Sequence, residues 1–435
     1  MVSALNPRLD LDTSEYGLLT DLYQLTMSLC YCGEGLAQRP ASFELFVRRL
    51  PPQFGYLIAM GLAQAIDYLE NLHFPGAQIK ALQETGIFAS APDRFWQLLE
   101  NCRFTGNVWA LPEGTIVFAH EPILRIEAEL WQAQLVETYL LNVINYQTMI
   151  ATKCARIRDV AGADKSLWEF GTRRAFSPQA SLWSARSALA SGFDGTSNVL
   201  AALKLGHKPV GTMAHALVMT LTALAGTELQ AFQACQRYFP NSPLLIDTFD
   251  TVSAAEMLRQ ENLAVTGVRL DSGDLAQLSQ QVAQILPTTK IYASGDLDEY
   301  AIQELQAQGA SIDGYGIGTK LVTGTPVNGV YKLVEIAGIP VSKKSPSKET
   351  YGYRKQIFRR ADGGDRLARA ESAPKQGETP LLQLFMERGK LIKPLDSLPQ
   401  IADRVKRGVN ALDPTYRCIR NPQSFPVHIA EELYL

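Results

Sequence analysis

One rhythm dominates the middle of the chain. A short apolar run leads into a turn of glycine, hydroxyl and acidic residues, and a helical pattern follows. The runs are 167–170 before GTRR, 192–193 before DGTSN, 209–210 before GTMAH, 244–246 before DTFDT, 265–270 before DSGD, 291–293 before SGDLD and 315–317 before GTKL. Among the helical stretches, TVSAAEMLRQ, DLAQLSQQVAQIL and DLDEYAIQELQAQ each open on a Thr or Asp able to cap an N-terminus. Strands alternating with helices imply parallel pairing, because a parallel neighbour is reached only through a crossover. The expected class is α/β with a (β/α) barrel-like domain, and an open doubly wound sheet is the main rival. In the barrel, functional groups sit at the C-terminal ends of the strands, where these turns fall.

The flanks read differently. Residues 17–32 are apolar-rich and expected to be helical after Thr20 or Asp21. Residues 41–50 alternate loosely and stop at Pro51-Pro52, as an edge strand would. Residues 56–72 hold no proline and read as a helix ending near His73. Residues 114–130 read as two strands joined at Glu121-Pro122, and 131–153 as a long amphipathic helix. From about Val341 basic residues crowd SKKSPSKETYGYRKQIFRR around one acid, Glu349, and strand-like pieces and loops follow. We therefore divide the 435 residues into 131–340, the (β/α) barrel catalytic domain, and 1–130 with 341–435, an α+β accessory domain built from N- and C-terminal segments.

Several function classes are disfavoured. A net charge of -3 gives no overall basic field for nucleic acid. No apolar run approaches the roughly 20 residues that span a bilayer. The first residues lack the basic start and apolar core of a secretory signal, so a cytoplasmic protein is expected. The six cysteines, 30, 32, 102, 154, 235 and 418, have neither paired spacing nor histidine neighbours, and are expected to be reduced thiols.

The turns share one chemistry. Glycine lets backbone N–H groups approach an anion, and helix N-termini favour phosphate. Carboxylates among them suit magnesium, which binds oxygen and often bridges to substrate phosphate. Any one turn could be ordinary loop chemistry; the series suits a polyphosphorylated sugar. His215 is the one histidine of the five in such a turn, and can act as base, ligand or phosphoryl acceptor. Phe170 offers a stacking face beside Arg173 and Arg174, and arginine pairs bidentately with carboxylate or phosphate. Arg269 and Asp271 in VRLDSGD share one face of a strand; a structural ion pair is the alternative.

With these motifs in order, the chain resembles the nicotinate phosphoribosyltransferases. The resemblance runs through LLTDLYQLTM, FELFVRRLP, EFGTRR, GTSN, GTMAH, LLIDTFDT, GVRLDSGDL, SGDLDEY and GYGIGTKLVT, roughly residues 18–360. It implies that nicotinate and phosphoribosyl pyrophosphate become nicotinate mononucleotide and pyrophosphate in NAD biosynthesis, driven by ATP through a phosphohistidine at His215, with magnesium. It implies a homodimer with a shared active site, Tyr23 coming from the partner subunit to sandwich the pyridine ring with Phe170. Arg173 and Arg269 would hold carboxylate and phosphate. Asp271, Gly295, Asp296, Gly318 and Thr319 would surround the ribose and its 5′-phosphate, with Gly171, Thr172, Ser197 and Asp247 in the same pocket. Amide-using relatives carry an aspartate where Ser197 stands, which favours nicotinate over nicotinamide. Lys344, Lys348 and Lys355 are candidates for ATP phosphate, a solvated charged face being the alternative; here the family's Pro-Gly is replaced by Tyr351-Gly352-Tyr353. Other readings are a nicotinamide or quinolinate transferase, a non-catalytic nucleotide-binding homologue, and a lyase using Lys320 or Lys332 as a Schiff base.

Overall fold

The computed structural model describes residues 9–343, 350–360 and 363–434. The chain forms two compact units. One holds the residues up to Thr148, Pro326–Ser397 and those from Gln423; the other holds Met149–Thr325 and Leu398–Pro422.

The second unit carries the repeating rhythm. Its strands are β1 (Ser166–Glu169), β2 (Gly195–Thr196), β3 (Leu244–Leu245), β4 (Gly267–Leu270), β5 (Lys290–Ser294) and β6 (Gly314–Ile317). They form one parallel sheet in the order β2-β1-β6-β5-β4-β3. Its helices include α1 (Pro178–Ala190), α2 (Val199–Lys204), α3 (His215–Ala225), α4 (Glu228–Tyr238), α5 (Thr251–Gln260), α6 (Leu275–Ile285), α7 (Glu299–Ala307), α8 (Thr319–Val322) and α9 (Leu398–Ala411). The fold is α/β, as the rhythm requires. The hydrogen-bonded ladder is an open one of six strands and does not by itself establish a closed barrel. Two runs differ from expectation. The strand expected at 192–193 falls instead at Gly195–Thr196, inside the polar turn. Residues 209–210 form no strand, although the Val210 N–H donates to the Thr196 carbonyl over 2.9 Å.

Carboxylates fix where the helices begin. Asp250, Asp274 and Asp298 each accept backbone N–H groups at the starts of α5, α6 and α7. The apolar sides of α3 to α6 close over β3 and β4 through Val218, Phe232, Leu244, Ile246, Leu258, Val268 and Val282, all fully or almost fully buried. Capped helix starts after β3, β4 and β5 leave polar turns between strand and helix at these strand ends.

The first unit is built on an antiparallel sheet in the order Ile339–Pro340, Val330–Ile336, Pro40–Phe46, Pro122–Glu129, Asn107–Ala110, Gln383–Glu387, Lys390–Leu391. Pro40–Phe46 is an interior strand, not an edge: it pairs on both sides, and Pro51-Pro52 lies beyond its end. The helix expected over 56–72 is a strand, Leu57–Ile58, then a helix, Leu62–Asn71. A second, four-stranded sheet orders Glu378–Pro380, Lys355–Arg360, Asp365–Arg369 and Val427–Ile429. All six cysteines are free; Cys30 and Cys418 are exposed and the other four buried. Among the described residues, no helix is long and apolar enough to cross a membrane.

Candidate active site

The C-terminal ends of β1, β4 and β5 bring the chemical residues of the second unit together. Phe170 leaves β1 with its N–H donated to the Ile317 carbonyl on β6 (2.8 Å). Its ring fills space that only glycine leaves: a Cβ on Gly316 would stand 2.4 Å from it. Arg269, on β4, has its guanidinium carbon 6.0 Å from the centre of that ring. Its Nη2 donates to the Met213 carbonyl (3.2 Å), and its buried Nε has no acceptor. Burial pulls this guanidinium below its usual range; Asp271 and Asp247 oppose that shift, and Arg173 adds to it. Arg173 therefore stands close enough for the two cations to repel. Arg269 stays charged, and its unpartnered Nε is a buried donor open to an anion.

Opposite the cations stand a histidine and two aspartates. His215, the first residue of α3, has Nδ1 3.2 Å from the Thr248 hydroxyl and Nε2 3.9 Å from Asp271 Oδ2. The other Asp271 oxygen accepts the Ser294 hydroxyl. Asp247 Oδ2 accepts the Asp271 N–H (2.9 Å) and the Ser272 hydroxyl (2.6 Å). Gly295 follows with φ +93°, and a Cβ there would lie 2.2 Å from the Asp271 carbonyl, so the β4 and β5 turns pack backbone to backbone. Asp296 continues with φ 48°, a left-handed conformation unusual for a residue with a side chain.

The remaining candidates are distributed around this centre. A Cβ on Gly318 would lie 3.1 Å from the Phe170 carbonyl, and Thr319 opens α8. Gly171 is tightly enclosed by Val322 and Glu169. Thr172 and Arg173 are exposed on the same turn, and the Ser197 N–H donates to the Glu169 carbonyl (2.9 Å). Tyr23 belongs to the first unit, half exposed on the helix Leu22–Gly33. Lys344 and Lys348 lie outside the described residues.

Lys355 is corrected by the structure. Its ammonium is buried 2.7 Å from Glu44 Oε2 and also donates to the Tyr351 and Tyr353 carbonyls. That ion pair occupies the charge that phosphate would need. Of the two Schiff-base candidates, Lys320 is exposed on α8 and Lys332 lies on a strand of the first unit.

Sequence reasoning missed Glu169. Its carboxylate accepts the Gly171 N–H and the Thr196 hydroxyl, which ties the β1 turn to β2. Burial raises its pKa, and those two hydrogen bonds act the other way. An acid in an otherwise apolar run (LWEF) was the signal available. Ser294 and Thr248, which hold Asp271 and His215, carried no signal beyond lying next to the turns.

A parallel α/β sheet whose strand ends gather cations, carboxylates, a histidine and an aromatic face marks the chain as an α/β protein of the enzyme type. Three family models match the chain: the nicotinate phosphoribosyltransferase N-terminal domain over residues 18–145, the nicotinate phosphoribosyltransferase family over 166–361, and the C-terminal domain over 355–435. The chain belongs to the nicotinate phosphoribosyltransferase family. The nicotinate phosphoribosyltransferase of Bacillus subtilis (strain 168) is 36% identical, covering 96% of this chain and 93% of its own. That of Homo sapiens is 30% identical over 96% and 95%. The crystal structure of human nicotinic acid phosphoribosyltransferase superimposes with a TM-score of 0.81 at 29% identity, over 95% of this chain and 98% of that one. A nicotinate-nucleotide pyrophosphorylase from Pyrococcus furiosus matches with a TM-score of 0.77 at 25% identity, over 94% and 100%.

Proposed function

We propose that the protein is a nicotinate phosphoribosyltransferase of NAD biosynthesis. One observation carries the reading: Phe170, Arg269, Asp271 and His215 meet at the strand ends of one parallel sheet. The nicotinate ring stacks on Phe170, with its carboxylate towards Arg173 and Arg269. The ring nitrogen attacks C1 of phosphoribosyl pyrophosphate, the C1–O bond breaks, and pyrophosphate leaves with the electron pair. Positive charge develops on the sugar, so the acidic side of the site faces the ribose and the cations face the anions. Gly295, Asp296, Gly318 and Thr319 line the ribose 5′-phosphate. Ser197 leaves the nicotinate carboxylate unopposed where an aspartate would repel it.

ATP drives the cycle by phosphorylating His215, and hydrolysis of that phosphohistidine returns the free imidazole. The half-exposed ring, set between Thr248 and Asp271, supports this role. Among the described residues, no group of three or more His, Cys, Asp and Glu side chains is arranged to hold a metal. Magnesium would come with the polyphosphate substrates, since it prefers oxygen ligands and often bridges to substrate phosphate. The strand order supports the barrel: taken in a ring, the neighbours follow chain order, and the gap between β2 and β3 lies where Val210 bonds to Thr196. A cytoplasmic homodimer completes the reading, with Tyr23 of one subunit serving the other. The exposed Leu19, Leu22 and Tyr23 at one helix start suit such a contact.

The test is incubation with magnesium, phosphoribosyl pyrophosphate and nicotinate, with and without ATP, following nicotinate mononucleotide and ADP. Product enhanced by ATP is expected. Product from nicotinamide or quinolinate in preference to nicotinate overturns the substrate, and no product with any of them overturns the enzyme.

A further inference from the structure

Lys153 lies on the long helix Glu137–Ala161 and is 9% exposed. Its ammonium donates to two backbone carbonyls, those of Lys320 and Thr323, the second over 3.1 Å. Among the described residues it forms no ion pair with a carboxylate. The two acids that act on it, Glu299 and Asp298, are committed elsewhere, Glu299 to Arg156 (3.0 Å) and Asp298 to the start of α7. A buried ammonium held by carbonyls alone is costly, and methionine would fill similar space without that penalty. What the charged group adds is a grip on one turn of backbone.

That turn is α8, a helix of four residues. The Thr323 N–H and hydroxyl both donate to the Thr319 carbonyl (3.0 and 2.7 Å), and the Leu321 N–H donates to the Gly318 carbonyl (3.0 Å). So short a helix does not hold itself, because fixing the first turn is unfavourable and no further turns follow. Leu321 and Val322 are fully buried and anchor one side. The carbonyls at the far end are taken by Lys153, where a cation also has the favourable sign. A Cβ on Gly324 would stand 3.2 Å from Lys153 Nζ, so the chain leaving α8 closes on the ammonium as well.

We propose that Lys153 is a positioning residue. By gripping the carbonyls of Lys320 and Thr323 it fixes the Gly318–Thr319 turn in the form that receives the 5′-phosphate of phosphoribosyl pyrophosphate. The inference rests on the proposed function for the place of that phosphate. Lys153 acts through the backbone of α8, so its loss weakens one substrate and spares the other.

Lys153→Met keeps the bulk and removes the donors. Its KM for phosphoribosyl pyrophosphate should rise about tenfold, while kcat and the nicotinate KM stay within about threefold of the parent. Hydrogen exchange needs no turnover: in the ligand-free variant the amides of residues 318–324 should exchange about tenfold faster, with those of β5 unchanged. A parental KM for phosphoribosyl pyrophosphate, or parental exchange in that turn, overturns the proposal. Equal losses for both substrates mark a merely structural role and overturn it too. If Lys153→Met does not fold, Thr323→Val replaces it. That variant removes the hydroxyl bond to Thr319 from the same turn and should raise the same KM about threefold, and no rise overturns the proposal. Calorimetry with ribose 5-phosphate separates this inference from the function beneath it. A parent that neither binds it nor makes nucleotide refutes the function, and the inference falls with it. A parent that does both, beside a Met variant of parental affinity, refutes the inference alone.

Discussion

At the scale of single residues, the site is made by side chains that hold one another in unfavourable company. Arg269 is kept beside a second cation, so it gains most when an anion arrives. Arg269→Ala should remove most of the transfer activity while leaving the fold intact, and near-parental kcat/KM would contradict its place at the substrate. His215→Ala should abolish the stimulation by ATP, and an unchanged ATP effect would take His215 out of the coupling. Glu44 and Lys355 show the cost of a buried charge left alone. Lys355→Ala leaves buried Glu44 with Arg125, 4.0 Å away, as its remaining counter-charge and should destabilise the protein by about 3 kcal/mol in urea unfolding, whereas an unchanged unfolding midpoint would show the pair to be dispensable. The gathering of Phe170, Arg269, Asp271 and His215 was legible because each lies at the end of an apolar run or in the polar turn after it. The burial of Lys355 was not. Its partner Glu44 lies more than three hundred positions away in sequence (311), and a basic cluster looks alike whether solvated or paired.

At the scale of elements, starts and stops decide function. Asp298 accepts the N–H groups of both Tyr300 and Ala301, so Asp298→Ala should cost about 1 kcal/mol, read as a lower unfolding midpoint. Arg366 and Glu378 join two strands of the four-stranded sheet that are not neighbours, and hydrogen bonding to Arg366 holds the Glu378 carboxyl down to about 2. A carboxyl depressed in the folded state adds stability above its ordinary value of 4.5 and loses it as pH falls towards 2. The stability gap between parent and Arg366→Met should therefore narrow across that window; a constant gap would rule the pair out as a source of acid sensitivity. The strands of the parallel sheet were readable from short apolar runs, except that 192–193 proved to be the approach to β2 and 209–210 formed no strand. The helix α9 went unread within a segment taken for strands and loops. Its buried residues Ile401, Val405 and Val409 repeat every fourth position, a helical signal set among exposed charged residues such as Asp403, Lys406 and Arg407.

At the scale of the whole molecule, neither unit is a continuous stretch of chain. The sheet of the first unit pairs Pro40–Phe46 with Val330–Ile336, and α9 packs on α1 in the second unit from more than two hundred residues downstream. Sequence order separated the central rhythm from its flanks, but could not reveal that residues 398–422 return to the unit bearing the turns, since only tertiary contact places them there. This interleaving has a consequence for synthesis. Domains made of consecutive residues can fold one after another as they leave the ribosome. Here, when β6 emerges, the catalytic turns are all present but α1 still lacks its cover, and the first unit waits for the partner of its interior strand. Both units stay incomplete until Leu398–Pro422 and the residues from Gln423 have been made. A chain stopped before Leu398 would keep every strand of the parallel sheet yet leave α1 without α9, and should fold poorly for that reason.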